Sequence, residues 1–129
     1  MLGFSDMQAD VASELIRKGV QVTVFNQRSV HEIFSVLQQI AALVGCSETA
    51  APWLQTVGTH LEAAEEVSAH WPRRPRVYFE EWDEPMISCI QWVSELIGIA
   101  GGDDIFAERA ACPLAKDRIL ADSTEVLRR

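Results

Sequence analysis

No stretch of this chain approaches the roughly 18–20 apolar residues that a membrane-spanning helix needs, so no transmembrane span is expected. Positive charge is scarce: 11 Lys and Arg stand against 19 Asp and Glu, for a net charge of −8 and a pI of about 4.8. A protein that neutralises duplex phosphates needs a basic face, so nucleic acid is not an expected partner. The one dense basic cluster, Arg73, Arg74 and Arg76, reads as a solvated connection. Cysteine is sparse and odd in number: Cys46, Cys89 and Cys112 lie far apart. With no C-x-x-C and no paired His/Cys spacing, neither a zinc site nor a disulfide framework is expected. Cys89, inside an apolar stretch, reads as a small buried hydrophobe. Catalytic signatures are missing too. There is no H-E-x-x-H, no G-x-S-x-G and no phosphate-binding loop, and Cys46 has no base beside it. His31, His60 and His70 fall on predicted helices and complete no motif. Gly101-Gly102 is too short to cradle a phosphate and reads as a helix stop. No catalysis is expected. The start, MLGFSDMQAD, has neither the basic nor the apolar region of a signal peptide, so any export signal is expected outside this chain.

The chain holds 129 residues, 48% hydrophobic and 23% charged, the size and composition of one globular domain. Its opening reads as the end of a strand and then a helix. Ser5 or Asp6 can cap that helix, Met7, Val11, Leu15 and Ile16 line one face, and Gly19 ends it. Residues 20–25, VQVTVF, are β-branched and aromatic, which predicts a strand and a parallel β-α-β unit. Ser29-Val30-His31-Glu32 is a capping box; Ile33, Phe34, Leu37, Ile40, Ala41 and Val44 follow on one face, and Gly45 stops the helix. A longer helix is expected over 48–71, with Pro52 in its first turn. Ala50, Leu54, Val57, Leu61, Ala64, Ser68 and Trp71 form a narrow seam along it. Such a helix is roughly 35 Å long at 1.5 Å per residue. It reads as a spine joining two bodies; the alternative is an ordinary amphipathic helix on one core. Residues 76–80, RVYFE, predict a strand, followed by the loop EWDEP. A helix is expected over 86–99 with Met86, Ile90, Val93 and Ile97 inward. Residues 103–113 read as irregular, with a short turn at 105–107, and Asp122-Ser123-Thr124-Glu125 as a second capping box.

The stretch RVYFEEWDEPM, then a helix, then GIAGGDDIFAE, resembles the second lobe of ABC-importer solute-binding proteins that handle cobalamin, haem and ferric siderophores. LGFSDMQADVASELIRKGVQVTVFNQRSVHEI resembles the end of the first lobe running into the inter-lobe helix. The implied fold is helix-rich α/β: two partial parallel-sheet lobes joined by a long helical spine. Residues 1–45 would belong to lobe one, 46–72 to the spine and 73–129 to lobe two. Full members of the family have two complete lobes. The chain would then be a central segment, with most of lobe one before Met1 and later parts of lobe two after Arg129.

The resemblance also implies a location outside the cytoplasm, an ABC permease as partner, a large chelate as ligand, and no cofactor. The acidic loop lies at a strand end, where α/β sheets place their crevices. There Trp82 offers a flat apolar face, with Glu81 beside it. Phe4 and Ser5 occupy the matching strand end of lobe one, and Asp6 and Asp10 are the nearest carboxylates for permease docking. Each has a plainer reading: Trp82 as a loop anchor, Asp6 as a helix cap, Asp10 as part of a solvated face. The four carboxylates Glu80, Glu81, Asp83 and Glu84 read as a solvated rim rather than a calcium or iron site, and no metal is expected. A rival function is a truncated remnant that binds no solute and forms a homodimer through open sheet edges.

Overall fold

The structure is a computed structural model and describes residues 2–3 and 9–129. Helices dominate, and the strands pair into three small sheets. Strand β1 (Leu2–Gly3) pairs in parallel with β2 (Thr23–Val24) across helix α1 (Ala9–Arg17). The β-α-β unit is therefore present, but β2 keeps only two residues of the predicted strand. So short a strand offers little surface for a helix to cover. Accordingly α1 buries Ala12 and leaves Val11 and Ile16 exposed, against the predicted face. The caps Ser5 and Asp6, with Met7, lie outside the described residues.

Helix α2 (Val30–Leu43) starts on a completed capping box. Ser29 Oγ accepts from the Glu32 N–H at 3.1 Å, and the Glu32 carboxylate accepts from the N–H of Ser29 at 3.1 Å and of Arg28 at 2.6 Å. The Arg28 and Ser29 amides hold the Glu32 carboxyl below the usual carboxylate range. Val36 and Ala41 are buried, while Val44, expected on the same face, is exposed past the helix end. Gly45 takes φ +74°, as a helix stop requires.

Helix α3 (Ser47–Ala69) runs unbroken for 23 residues. It begins one residue earlier than expected, and Pro52 lies inside the helix, in its second turn rather than its first. The seam is largely realised. Leu54 and Ser68 are buried, Ala50, Val57 and Leu61 are half-buried, and Ala64 and Trp71 are exposed.

Beyond α3 the chain departs further from expectation. The stretch 76–80 is divided: β3 (Arg76–Val77) pairs in parallel with β6 (Asp103–Asp104), and Glu80 opens a different sheet. That sheet is an antiparallel hairpin of β4 (Glu80–Asp83) and β5 (Met86–Ser88). Met86 is thus in a strand, and α4 starts only at Gln91, running to Ile99. The reason lies far along the chain: Ile87 bridges to Ile119, and the Leu120 N–H donates to the Met86 carbonyl at 2.8 Å. Two short helices, α5 (Ala107–Ala110) and α6 (Thr124–Arg128), and a 3-10 turn (Ala115–Arg118) complete the order. Residues 103–113 are therefore more regular than expected. At α6, Ser123 makes no capping bond; Asp122 accepts from the Thr124 N–H at 2.7 Å instead.

Around α4 the core gathers Cys89, Val93 and Ala110, with Ile90, Trp92 and Ile97 against them. Cys89 is fully buried, and its thiol donates to Asp104 at 3.3 Å. Burial, aided by Asp104, pushes that thiol up to about 12, so it stays protonated at neutral pH. Arg73, Arg74 and Arg76 are exposed, as expected of a solvated connection, but Arg74 also has a structural role. It donates to Asp103 at 2.7 Å, to the Gly102 carbonyl at 2.7 Å and to the Gly98 carbonyl at 3.1 Å, satisfying the C-terminal end of α4.

Candidate ligand-binding hairpin

The parallel pair β3–β6 ends at Val77 and Asp104, and the β4–β5 hairpin follows directly from β3. A ligand crevice in an α/β sheet lies at such carboxyl ends. Tyr78 bridges the two elements. Its ring meets Phe106 edge to face at 5.9 Å, and its hydroxyl donates to Glu80 at 3.1 Å. Burial, with Glu80 beside it, pushes the Tyr78 hydroxyl up to about 12.

Within the hairpin Glu80 faces Ser88 and Trp82 faces Ile87, so Glu81 is the extra residue of a bulge. Trp82 lies on β4 rather than in a loop, and it is 60% exposed. Its indole N–H donates to the Glu84 carbonyl at 3.0 Å, which holds the ring against the turn while leaving much of it open to solvent.

Three of the four carboxylates have different partners. Glu80 takes the Tyr78 hydroxyl, Asp83 accepts from the Glu84 N–H at 3.0 Å, and Glu81 is paired with Arg118. Among the described residues no group of three or more His, Cys, Asp or Glu is placed to hold a metal ion. Arg118 is the residue that sequence reasoning missed. It is 2% exposed. One guanidinium nitrogen, Nη1, bonds Glu81 Oε2 and also the Ser88 carbonyl at 2.7 Å. The other, Nη2, reaches Glu81 Oε1 at 3.3 Å. The Ser88 hydroxyl donates back to the Arg118 carbonyl at 3.2 Å. No local pattern signals this role, because its partners lie 30 and 37 positions away.

Of the other expected site residues, Phe4, Ser5 and Asp6 lie outside the described residues. Asp10 is exposed in the first turn of α1. Two cavities lie away from the hairpin's own residues. One, of about 450 Å³, runs between α2 and α3 and is lined by Phe34, Ala41, Ala50 and Leu54 among others. The second, of about 520 Å³, lies between α3 and α4 beside Glu65, Ser68, Arg74 and Glu95. Among the described residues no helix is long and apolar enough to cross a membrane.

Three solved structures share this fold at low sequence identity. An ABC transporter substrate-binding protein from Listeria monocytogenes EGD-e matches 98% of this chain and 48% of its own, at 15% identity and a TM-score of 0.73. S. aureus IsdE complexed with haem matches 81% of this chain and 42% of its own, at 13% identity and a TM-score of 0.67. A possible iron-binding, periplasmic solute-binding protein from Staphylococcus epidermidis matches 83% and 44%, at 14% identity and a TM-score of 0.62. The chain thus spans less than half the length of each of these proteins. Among curated proteins none matches it. The helix-rich α/β arrangement with small sheets is that of one half of such a binding protein. The family model for periplasmic binding proteins matches residues 1–127, and the chain belongs to that family.

Proposed function

We propose that the chain is part of an extracytoplasmic solute-binding protein that captures a large flat chelate (haem, cobalamin or a ferric siderophore) and delivers it to an ABC permease. The observation that carries this reading is Trp82, 60% exposed on a hairpin that follows the carboxyl end of a parallel strand pair. Family membership supports a binding role without catalysis, and the haem complex of a protein with the same fold supports the ligand class. Residues 1–45 and 73–129 are read as parts of two lobes, each with a parallel pair, and 46–72 as the helical spine between them. Phe4 and Ser5 would face the ligand from lobe one. Asp6 and the exposed Asp10 would meet the permease. Glu81 contributes at the same site, with its carboxylate already engaged by Arg118.

Titration of the chain with haemin, cyanocobalamin and a ferric siderophore, followed by tryptophan fluorescence, tests this. Covering one indole contributes a few kcal/mol at about 25 cal/mol per Å², below the ~8 kcal/mol of micromolar affinity. Binding no tighter than high micromolar is expected, weakened about thirtyfold by Trp82→Ala, or about 2 kcal/mol. Unchanged binding in Trp82→Ala would move the site elsewhere, and nanomolar affinity would contradict a site that rests on one indole.

A second reading, a self-associating module without solute, is favoured by the sheets. Among the described residues each has only two strands, and apart from β5, whose second edge meets Ile119 and Leu120, the strands keep an edge free of a third strand. This reading expects a homodimer in light scattering; a stable monomer at high concentration would reject it.

A further inference from the structure

The bulge at Glu81 decides how the hairpin presents its indole. Strand side chains alternate between faces, so a one-residue slip carries each of them to the opposite face. Here Glu80 pairs with Ser88 and Trp82 with Ile87; the extra residue between them is what sets Trp82 in its register. Nothing in a two-stranded ribbon of this length fixes such a bulge by itself. Across from it lies a buried arginine. Arg118 grips both oxygens of the Glu81 carboxylate, and through Nη1 it also takes the carbonyl of Ser88, the residue opposite Glu80. One guanidinium therefore ties the bulged residue to the facing strand.

The energetics point away from a simple stabilising role. A buried ion pair contributes little net stability, because desolvation offsets its attraction. Arg118 bears a further cost, since its buried Nε has no hydrogen-bond partner among the described residues. An apolar side chain in this place would avoid both costs. What an apolar residue could not do is hold a carboxylate and a carbonyl at fixed separation with one planar fork.

We propose that Arg118 is the positioning residue of the Trp82 site: by clamping Glu81 at the bulge to the Ser88 carbonyl, it fixes the register that presents the indole to a ligand. This rests on the reading of Trp82 as the ligand contact, but the register itself can be measured without ligand.

The experiment uses the 129-residue chain labelled with nitrogen-15, in which four tryptophans give separate indole signals. Glu81→Gln removes the charge and keeps the shape; Arg118→Lys keeps the charge and removes the fork. In both variants the Trp82 indole signal is expected to shift or double, and its cross-strand contacts with Ile87 to weaken. Trp53, Trp71 and Trp92 should keep their signals. Haemin affinity should fall about tenfold in Glu81→Gln. A purely structural role would lower the melting temperature and leave the Trp82 signal of the folded protein in place. A single unshifted Trp82 signal with Ile87 contacts intact in both variants would overturn the proposal. So would global loss of structure in Glu81→Gln, whose side chain is 37% exposed, because the pair would then be a stability element. If the wild-type chain fails to bind haemin while Trp82 still changes register in the variants, the positioning role stands and the haem reading falls.

Discussion

Truncating Phe106 to alanine is expected to destabilise the protein by about 4 kcal/mol, a large share of the ~5–15 kcal/mol that holds a domain of this size. Phe106 is 1% exposed. Its ring takes the edge-to-face contact of Tyr78 at 5.9 Å, and the guanidinium carbons of Arg109 and Arg129 lie 5.5 Å and 5.1 Å from its centre. Lost transfer energy and the cavity left behind account for most of the effect. The aromatic pair and the two cations together supply the smaller remainder, about 1 kcal/mol. The backbone cannot easily collapse into the gap, because the Phe106 N–H is held by Asp104 at 3.0 Å. Phe106→Leu, which keeps most of the volume, should cost no more than about 2 kcal/mol. Urea unfolding of the three proteins measures this directly. A loss below 1 kcal/mol in Phe106→Ala would mean that the ring is not packed as described.

The second large effect comes from adding a single methyl group. Gly101 takes φ +84°, and a Cβ there would stand 2.8 Å from Ser68 Cβ and 3.0 Å from the Trp71 ring. Gly19 takes nearly the same conformation, φ +77°, but a Cβ there would meet nothing within 4 Å. Both alanine substitutions carry the left-handed penalty of about 1–2 kcal/mol. Only Gly101→Ala adds overpacking, worth about 1–3 kcal/mol. Trp71 is half exposed and can swing aside. Ser68 cannot: it is buried on α3, with its hydroxyl donating to the Ile99 carbonyl at 2.7 Å. Gly101→Ala is therefore expected to cost about 3 kcal/mol and Gly19→Ala about 1 kcal/mol. The difference isolates the contact between α3 and the end of α4. Equal losses would show that these helix ends do not touch so closely.

What could be read from the sequence was whatever a few neighbouring residues decide. Ser29 and Glu32 are three apart, and their reciprocal bonds need nothing else. The seam of α3 repeats within one element, and most of it is covered. Gly45 and Gly101 stop their helices through their own backbone angles. What was not legible depends on distant partners. The run Met86–Ile90 fits a helix or a strand equally well by its pattern. It becomes a strand because residues 119–120 pair with it. Nothing local marks Arg74, which stays exposed, or Arg118, which is buried as arginine rarely is. Each is fixed by carbonyl groups that only the fold assembles. Trp82, the proposed ligand contact, stands out in the sequence by residue type and by the strand before it. Its place within a bulged hairpin does not, since the bulge is a relation between two strands and an arginine outside both.

On the proposed reading of Trp82 as a ligand contact, the bond from its indole to the Glu84 carbonyl bears on cargo choice. A donor already satisfied by its own turn makes no demand on whatever covers the ring. The indole then offers a face and nothing else. Apolar faces separate similar molecules by only about 1–3 kcal/mol, whereas unmet polar groups reject a mismatch far more strongly. This hairpin would therefore accept many planar compounds with similar ease, and the selection among them would fall to the opposing wall of the cleft. Descendants of such a protein could change what they carry by altering that wall alone, with the hairpin inherited unchanged.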